Sequence, residues 1–330
     1  MIPSDPRTQA MTQWLENDLS LSVNSYAPAS SDASFRRYFR VNVANDDFIV
    51  MDAPPDKEDI ARFIKVADLL RHANVKVPLI FQQNLPDGFL LLEDFGSQLY
   101  LDNLNENSAD GLYQRAFDSL FNLQSNTPLT SCGLPAYDLA LLERELNIFT
   151  EWFVDKRLEM TLPKHIWNVV STVLIDSALE QPVTCVHRDY HSRNLMIIDQ
   201  DSPGVIDFQD AVIGPITYDL VSLLRDCYIN WPEEFVDQWM TNYFQRLEQA
   251  KLVDCGLERF RRWFDLMGMQ RHLKAIGIFS RLDLRDGKSG YLKDIPRTLA
   301  YVTQVAARYP ELAEFGEYLE NINLADKVSA

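Results

Sequence analysis

Hydrophobic positions follow two different periods along the chain. Residues 7–19 have the spacing of an amphipathic helix. The period then shortens to two: Phe35, Phe39, Val41 and Val43 interleave with Arg36, Tyr38, Arg40 and Asn42, which predicts a strand with one buried face. Turn residues Asn45-Asp46-Asp47 lead into a second strand, Phe48-Ile49-Val50-Met51. Helical spacing returns in residues 57–71, where Ile60, Phe63, Ile64, Ala67 and Leu70 share a face. Residues 79–83 and 89–92, separated by Pro86-Asp87-Gly88, predict a hairpin.

Beyond Phe95-Gly96 the texture is helical. Leu112, Ala116 and Leu120 repeat every four residues beside Tyr113, Phe117 and Phe121, and Leu139, Leu142, Leu146, Phe149 and Phe153 make a second apolar stripe. Such stripes are core. The pattern predicts an α+β protein of two lobes: a small β-rich N-lobe, residues 1–95, and a larger, mainly helical C-lobe, residues 96–330.

One stretch breaks the helical texture and carries chemistry. Val183-Thr184-Cys185-Val186 is β-prone and runs into His187-Arg188-Asp189-Tyr190-His191-Ser192-Arg193-Asn194; Leu195-Met196-Ile197-Ile198 is a second β-prone run. A turn signal at Asp201-Ser202-Pro203-Gly204 precedes Val205-Ile206-Asp207-Phe208. The order matches the H-R-D-x-x-x-x-N loop and later metal-binding Asp of kinases. Phosphoryl transfer from ATP needs a carboxylate for the attacking hydroxyl, here Asp189. It also needs oxygen ligands for Mg²⁺, here Asn194 and Asp207. A strand, loop, hairpin and strand would bring Asp189 and Asp207 to neighbouring strand ends.

Composition narrows the partners. With 31 basic and 48 acidic residues in 330, the net charge is −17, which argues against nucleic acid or an anionic membrane as partner. The four cysteines are scattered, without disulfide or zinc spacing, and read as buried thiols. No signal peptide or membrane-spanning run is legible, so a cytoplasmic monomer acting on a small molecule is expected. Arg259, Arg261, Arg262, Arg271 and Lys274 read as a solvated helix face.

The catalytic block, followed by Gly214-Pro215-Ile216-Thr217-Tyr218-Asp219-Leu220, resembles the aminoglycoside phosphotransferase family, which has a two-lobed protein-kinase-like fold. That resemblance implies a structural role for Asp219, bracing the catalytic loop, and a supporting one for His187. Ser31-Asp32-Ala33-Ser34-Phe35-Arg36-Arg37-Tyr38-Phe39-Arg40, Val50-Met51-Asp52-Ala53-Pro54-Pro55 and Leu90-Leu91-Leu92-Glu93-Asp94-Phe95-Gly96 further resemble the bacterial anomeric N-acetylmuramate/N-acetylglucosamine kinases. Those enzymes use ATP to phosphorylate the C1 hydroxyl of cell-wall sugars. Aminoglycoside, choline- or homoserine-type kinases share the catalytic trio and stand as alternatives, as does an inactive nucleotide-binding module.

The resemblance has departures. The expected phosphate loop around Ser31 and Ser34 has no glycine. Asp52 falls where related kinases carry a phosphate-binding Lys or Arg, so Arg36, Arg37 or Arg40 is expected to supply the missing cation. Glu93-Asp94-Phe95-Gly96 contains D-F-G but precedes the catalytic loop. It is expected to be the hinge, offering the backbone of Glu93 and Phe95 to adenine while the Glu93 and Asp94 side chains do nothing for the nucleotide. For the sugar, Asp189, Arg193, Arg225, Asp226 and Tyr228 are the expected contacts, with Arg225 or Arg193 for a lactyl carboxylate.

Overall fold

The computed structural model describes residues 5–31, 35–198 and 203–322. Helix α1 (Pro6–Gln13) is capped by Asp5, whose carboxylate accepts the Arg7 and Thr8 N–H groups, and continues into a wider turn at Trp14–Asp18. Strands β1 (Val23–Ser31), β2 (Arg37–Val43) and β3 (Asp46–Asp52) follow, then α2 (Ile60–His72), β4 (Ile80–Asn84) and β5 (Phe89–Glu93). The helical part opens with α3 (Tyr100–Asn103), α4 (Ala109–Asn126), α5 (Leu139–Ile148) and α6 (Lys164–Leu179). Short strands β6 (Val183–Val186), β7 (Leu195–Ile197), β8 (Pro203–Val205) and β9 (Val212–Pro215) interrupt it. The chain ends in α7 (Tyr218–Leu224), α8 (Glu233–Gln249), α9 (Leu257–Asp286), α10 (Ile295–Arg308) and α11 (Ala313–Glu320). Among the described residues no helix is long and apolar enough to cross a membrane.

Two compact units result. The first comprises Met1–Ser119 with Asn194–Gln209, the second Leu120–Arg193 with Asp210–Ala330. The first unit thus runs past the expected boundary at residue 95 and takes in the β7–β8 hairpin. Backbone hydrogen bonds explain the grouping: Val205 N–H donates to the Lys76 carbonyl (2.8 Å) and Ile197 N–H to that of Gln98 (2.8 Å).

In the first unit, the antiparallel sheet has the order β1-β2-β3-β5-β4. Alternation puts Phe39, Val41, Val50, Phe89 and Leu91 on one face, where Met11, Trp14 and Leu15 cover them. In the second unit, α9 is the central helix. It is buried over most of its length, and Leu266, Met269, Leu273 and Ile276 pack against apolar residues of α5, α6 and α10. The four short strands follow the expected order of strand, loop, hairpin and strand. β6 pairs with β9 and β7 with β8, each antiparallel.

Candidate active site

The first unit holds the expected metal residues. Ile206 N–H donates to the Asn194 carbonyl (3.1 Å), which ties the two ends of the β7–β8 hairpin together. Asp207 follows in a left-handed backbone conformation (φ 60°), a costly choice for a residue with a Cβ. Its neighbour Phe208 is buried against Phe63 of α2, ring centres 4.8 Å apart, which helps hold it in place. The carboxylate accepts from Gln209 Nε2 (2.8 Å) and lies 3.3 Å from the guanidinium of Arg36. At Gly204 a Cβ would come within 2.5 Å of the Phe95 ring, so only glycine fits under that ring.

The arginine question resolves by strand parity. Asp52 shares its face with Val50, under α1, and is fully buried. It accepts from Arg7 (Nε 2.7 Å, Nη2 2.5 Å) and from Arg37 (Nε 2.9 Å, Nη2 2.5 Å). Two guanidinium groups thus neutralise this carboxylate on the α1 side of the sheet. Arg37 also grips Asp5, whose carboxyl is held well below its usual range chiefly by that hydrogen bond. Arg40 pairs with Asp94 (Nη2–Oδ1 2.9 Å) and with the Gly96 carbonyl (2.7 Å). Arg36, just before β2, turns the other way and carries its charge to Asp207. Of the three candidate arginines, only Arg36 is placed beside an expected metal ligand.

At the expected hinge, the acidic side chains hold the segment together. Glu93 accepts from Lys76 Nζ (3.2 Å) and Leu79 N–H (3.1 Å), and Asp94 from Arg40 and Gly96 N–H (2.7 Å). The Glu93 N–H itself donates to the Leu79 carbonyl (2.9 Å). Of Ser31 only the backbone, paired with Arg37 in the β1–β2 register, is described, and Ser34 lies outside the described residues.

The second unit holds Asp189. Asp219, at the start of α7, accepts from His187 N–H (2.7 Å) and Arg188 N–H (3.0 Å), which fixes the loop where it leaves β6. Burial pushes the Asp219 carboxyl up to about 6, against the pull of those same bonds. Arg188 is left-handed (φ 79°), and its guanidinium is anchored on Glu145. The Asp189 N–H donates to His187 Nδ1 (3.2 Å). Burial raises the Asp189 carboxyl, but Lys274, His191, Arg271 and Arg188 outweigh it and bring it down to about 2. Asp189 is thus an ionised carboxylate at any physiological pH. His191 is pushed down to about 4, first by burial, and is neutral.

The expected sugar residues separate into two groups. Arg225 is buried and its guanidinium is divided between Asp265 (2.8 Å) and Glu233 (2.7 Å), so a substrate carboxylate would compete with two acids. Asp226, also buried, accepts from Ser192 N–H (2.9 Å), Ser192 Oγ (2.5 Å) and Tyr228 N–H (3.0 Å). Both are engaged in structure. Arg193 stacks on Tyr228, guanidinium carbon 3.9 Å from the ring centre, with Tyr291 at 5.7 Å. His191 meets the same Tyr228 ring edge-on at 5.4 Å.

The expected solvated basic face also needs correction. Arg261 and Arg262 do form outer ion pairs, with Asp237 and Glu311. Arg271, however, is buried, and the Lys274 side chain is only 11% exposed. Lys274 Nζ lies 3.1 Å from Glu145, which Arg188 also engages, and 3.3 Å from Tyr218 Oη. The sequence signal was available: α9 carries apolar residues on both sides of this pair, so no exposed stripe was left for it.

Residues 25–255 match the phosphotransferase enzyme family. A protein of Pseudomonas putida named N-acetylmuramate/N-acetylglucosamine kinase is 47% identical over 96% of this chain and 97% of its own length. One of the same name from Pseudomonas aeruginosa is 45% identical over 96% and 97%. Among solved structures, ADP-bound aminoglycoside phosphotransferase APH(2'')-Ib has a TM-score of 0.58 at 15% identity, over 90% of this chain and 98% of that one; it shows the shared kinase-like fold. The chain belongs to the phosphotransferase enzyme family, in the company of proteins named N-acetylmuramate/N-acetylglucosamine kinase.

Proposed function

We propose that this phosphotransferase moves the γ-phosphoryl group of ATP to the anomeric C1 hydroxyl of N-acetylmuramate and N-acetylglucosamine, in the cytoplasm, as a step of cell-wall sugar recycling. The observation that carries the reading is the 47% identity, over nearly the whole chain, to a relative named for those two sugars. Asp189 orients the acceptor hydroxyl. A carboxylate as weakly basic as this one takes the proton late, once bonding to phosphorus has made the oxygen acidic. An anomeric hydroxyl, more acidic than an ordinary alcohol, suits it.

Asn194 and Asp207 offer an amide and a carboxylate oxygen, the hard donors that Mg²⁺ takes beside substrate phosphates. Once bound, the ion neutralises charge on the β- and γ-phosphates. Arg36, beside Asp207, is the protein's own cation for the phosphates in place of the missing strand lysine. The stacked Arg193–Tyr228 pair offers a flat wall to the C–H face of a sugar, with guanidinium donors for its hydroxyls. Asp219, His187 and Asp226 support the loop and do not touch substrate.

ADP release with Mg-ATP and a panel of N-acetylmuramate, N-acetylglucosamine, kanamycin and choline tests the reading. Turnover of the two amino sugars is expected, falling by about 10²–10⁴ in kcat for Asp189→Asn. Turnover of kanamycin or choline alone would refute the sugar assignment. No turnover of any acceptor, with Mg-ATP bound, would favour an inactive nucleotide-binding module.

A further inference from the structure

Among the described residues of the second unit, the enclosed cations Arg157, Arg188, Arg225 and Lys274 are matched to acids. Arg188 and Lys274 share Glu145, and Arg225 and Arg308 share Asp265. Arg271, one turn before Lys274 on α9, stands apart. It is 6% exposed, and its Nε and Nη1 are buried with no hydrogen-bond partner among the described residues. It has no ion pair with a carboxylate there either, and its guanidinium lies 5.9 Å from the centre of the Tyr218 ring. Asp189 and Asp226 are near enough to favour its charge, but Asp226 is already taken by Ser192 and Tyr228.

Buried guanidinium donors without partners are costly. Arg271 has two of them, where Arg157, Arg188 and Arg225 have one each beside a paired carboxylate, so a ligand, ion or water is called for to complete it. Arg271 is on the acceptor side by chemistry, since it shares its surroundings with Asp189. Arg193 differs in kind: it is only half-buried, so water can satisfy it. Of the two amino sugars proposed above, only N-acetylmuramate carries an anion, the lactyl carboxylate on O3, on the same ring as the C1 hydroxyl.

We infer that Arg271 is the specificity-determining residue for N-acetylmuramate: its unpaired donors receive the lactyl carboxylate while Asp189 holds the anomeric hydroxyl. The inference rests on the amino-sugar reading. N-acetylglucosamine, lacking the carboxylate, leaves those donors as they stand.

The test is kcat and KM for both sugars in wild-type protein, Arg271→Ala and Arg271→Lys, with circular dichroism and Mg-ATP affinity as checks on folding. Arg271→Ala should raise KM for N-acetylmuramate ~10–100-fold, the worth of hydrogen bonds to a charged group. KM for N-acetylglucosamine should stay within about twofold, and Arg271→Lys should recover part of the loss. A substrate-side variant guards against misfolding of the alanine protein: replacing the lactyl carboxylate by its carboxamide should weaken binding to the wild type and weaken binding to Arg271→Lys by a smaller factor. Equal losses for both sugars, or no change for either, would overturn the inference while leaving the kinase reading intact. No turnover of either sugar by the wild type would overturn the amino-sugar reading itself, and the inference with it.

Discussion

Asp52 and Arg36 show how one charge reversal can be absorbed by side-chain direction. Asp52 is fully buried, and its partners Arg7 and Arg37 are about one-third exposed. Removing it strands two cations at the α1 face, so Asp52→Ala should destabilise the fold by about 3 kcal/mol, the cost of breaking a buried pair. KM for ATP should barely move. Arg36→Ala should do the reverse, raising KM for ATP with little loss of stability and no change in sugar KM. Chemical denaturation and ATP titration of both variants check the assignment; a raised ATP KM in Asp52→Ala alone would move the phosphate cation to Arg37 or Arg7. Strand alternation made the opposed directions of Arg36 and Arg37 legible in the sequence. The pairing of Asp52 with Arg7 was not, because the two lie 45 residues apart.

Asp219 gives a pH signature. Its folded carboxyl, at about 6, lies above its ordinary 3.8, so the folded protein holds that proton more tightly than the unfolded chain. Its contribution to stability is therefore fully present below about pH 4 and is lost as pH rises through 6. Activity runs the other way, since only the ionised carboxylate accepts well from both His187 and Arg188. The rate should show an acid limb near pH 6 while thermal stability does not fall over the same interval. Asp219→Asn should lower kcat and abolish that limb. An unchanged limb would assign it to another group, and Asp189, at about 2, is too low to be that group.

At the scale of elements, α9 organises the second unit. Its Gly277 faces the end of α5, where an added Cβ would lie 2.5 Å from the Ile148 carbonyl oxygen. Alanine gains about 1 kcal/mol of helix propensity over glycine, but backbone crowding of this kind costs about 1–3 kcal/mol. Gly277→Ala should therefore be net destabilising, read as a lower denaturation midpoint; a stabilised variant would mean the helices separate easily. The sequence showed α1, α2 and β2–β5 because their apolar residues keep a clean period. It hid β1, a polar stretch interrupted by Pro28 and paired only with β2, and β9, whose Gly214-Pro215 reads as a turn. The charges of Arg271 and Lys274 read as surface, although the apolar residues on both sides of them along α9 were the sign of their burial.

At the scale of the whole molecule, a strongly acidic chain sets buried or half-buried cations beside its candidate carboxylates: Arg36 beside Asp207 in one unit, Arg188, Arg271 and Lys274 around Asp189 in the other. The candidate trio Asp189, Asn194 and Asp207 and the two-lobed fold class were legible because the motif's order and its flanking strands are local. The acceptor was legible only through resemblance, since the groups that would read it come from the catalytic loop, the segment after α7 and α9. Where the phosphate lands is the central claim. ³¹P NMR of the product from Mg-ATP and N-acetylglucosamine decides it directly. Anomeric transfer predicts a new phosphate resonance coupled to the anomeric proton, absent with Asp189→Asn. A phosphate coupled instead to the C6 methylene protons, or to any other ring proton, would contradict it.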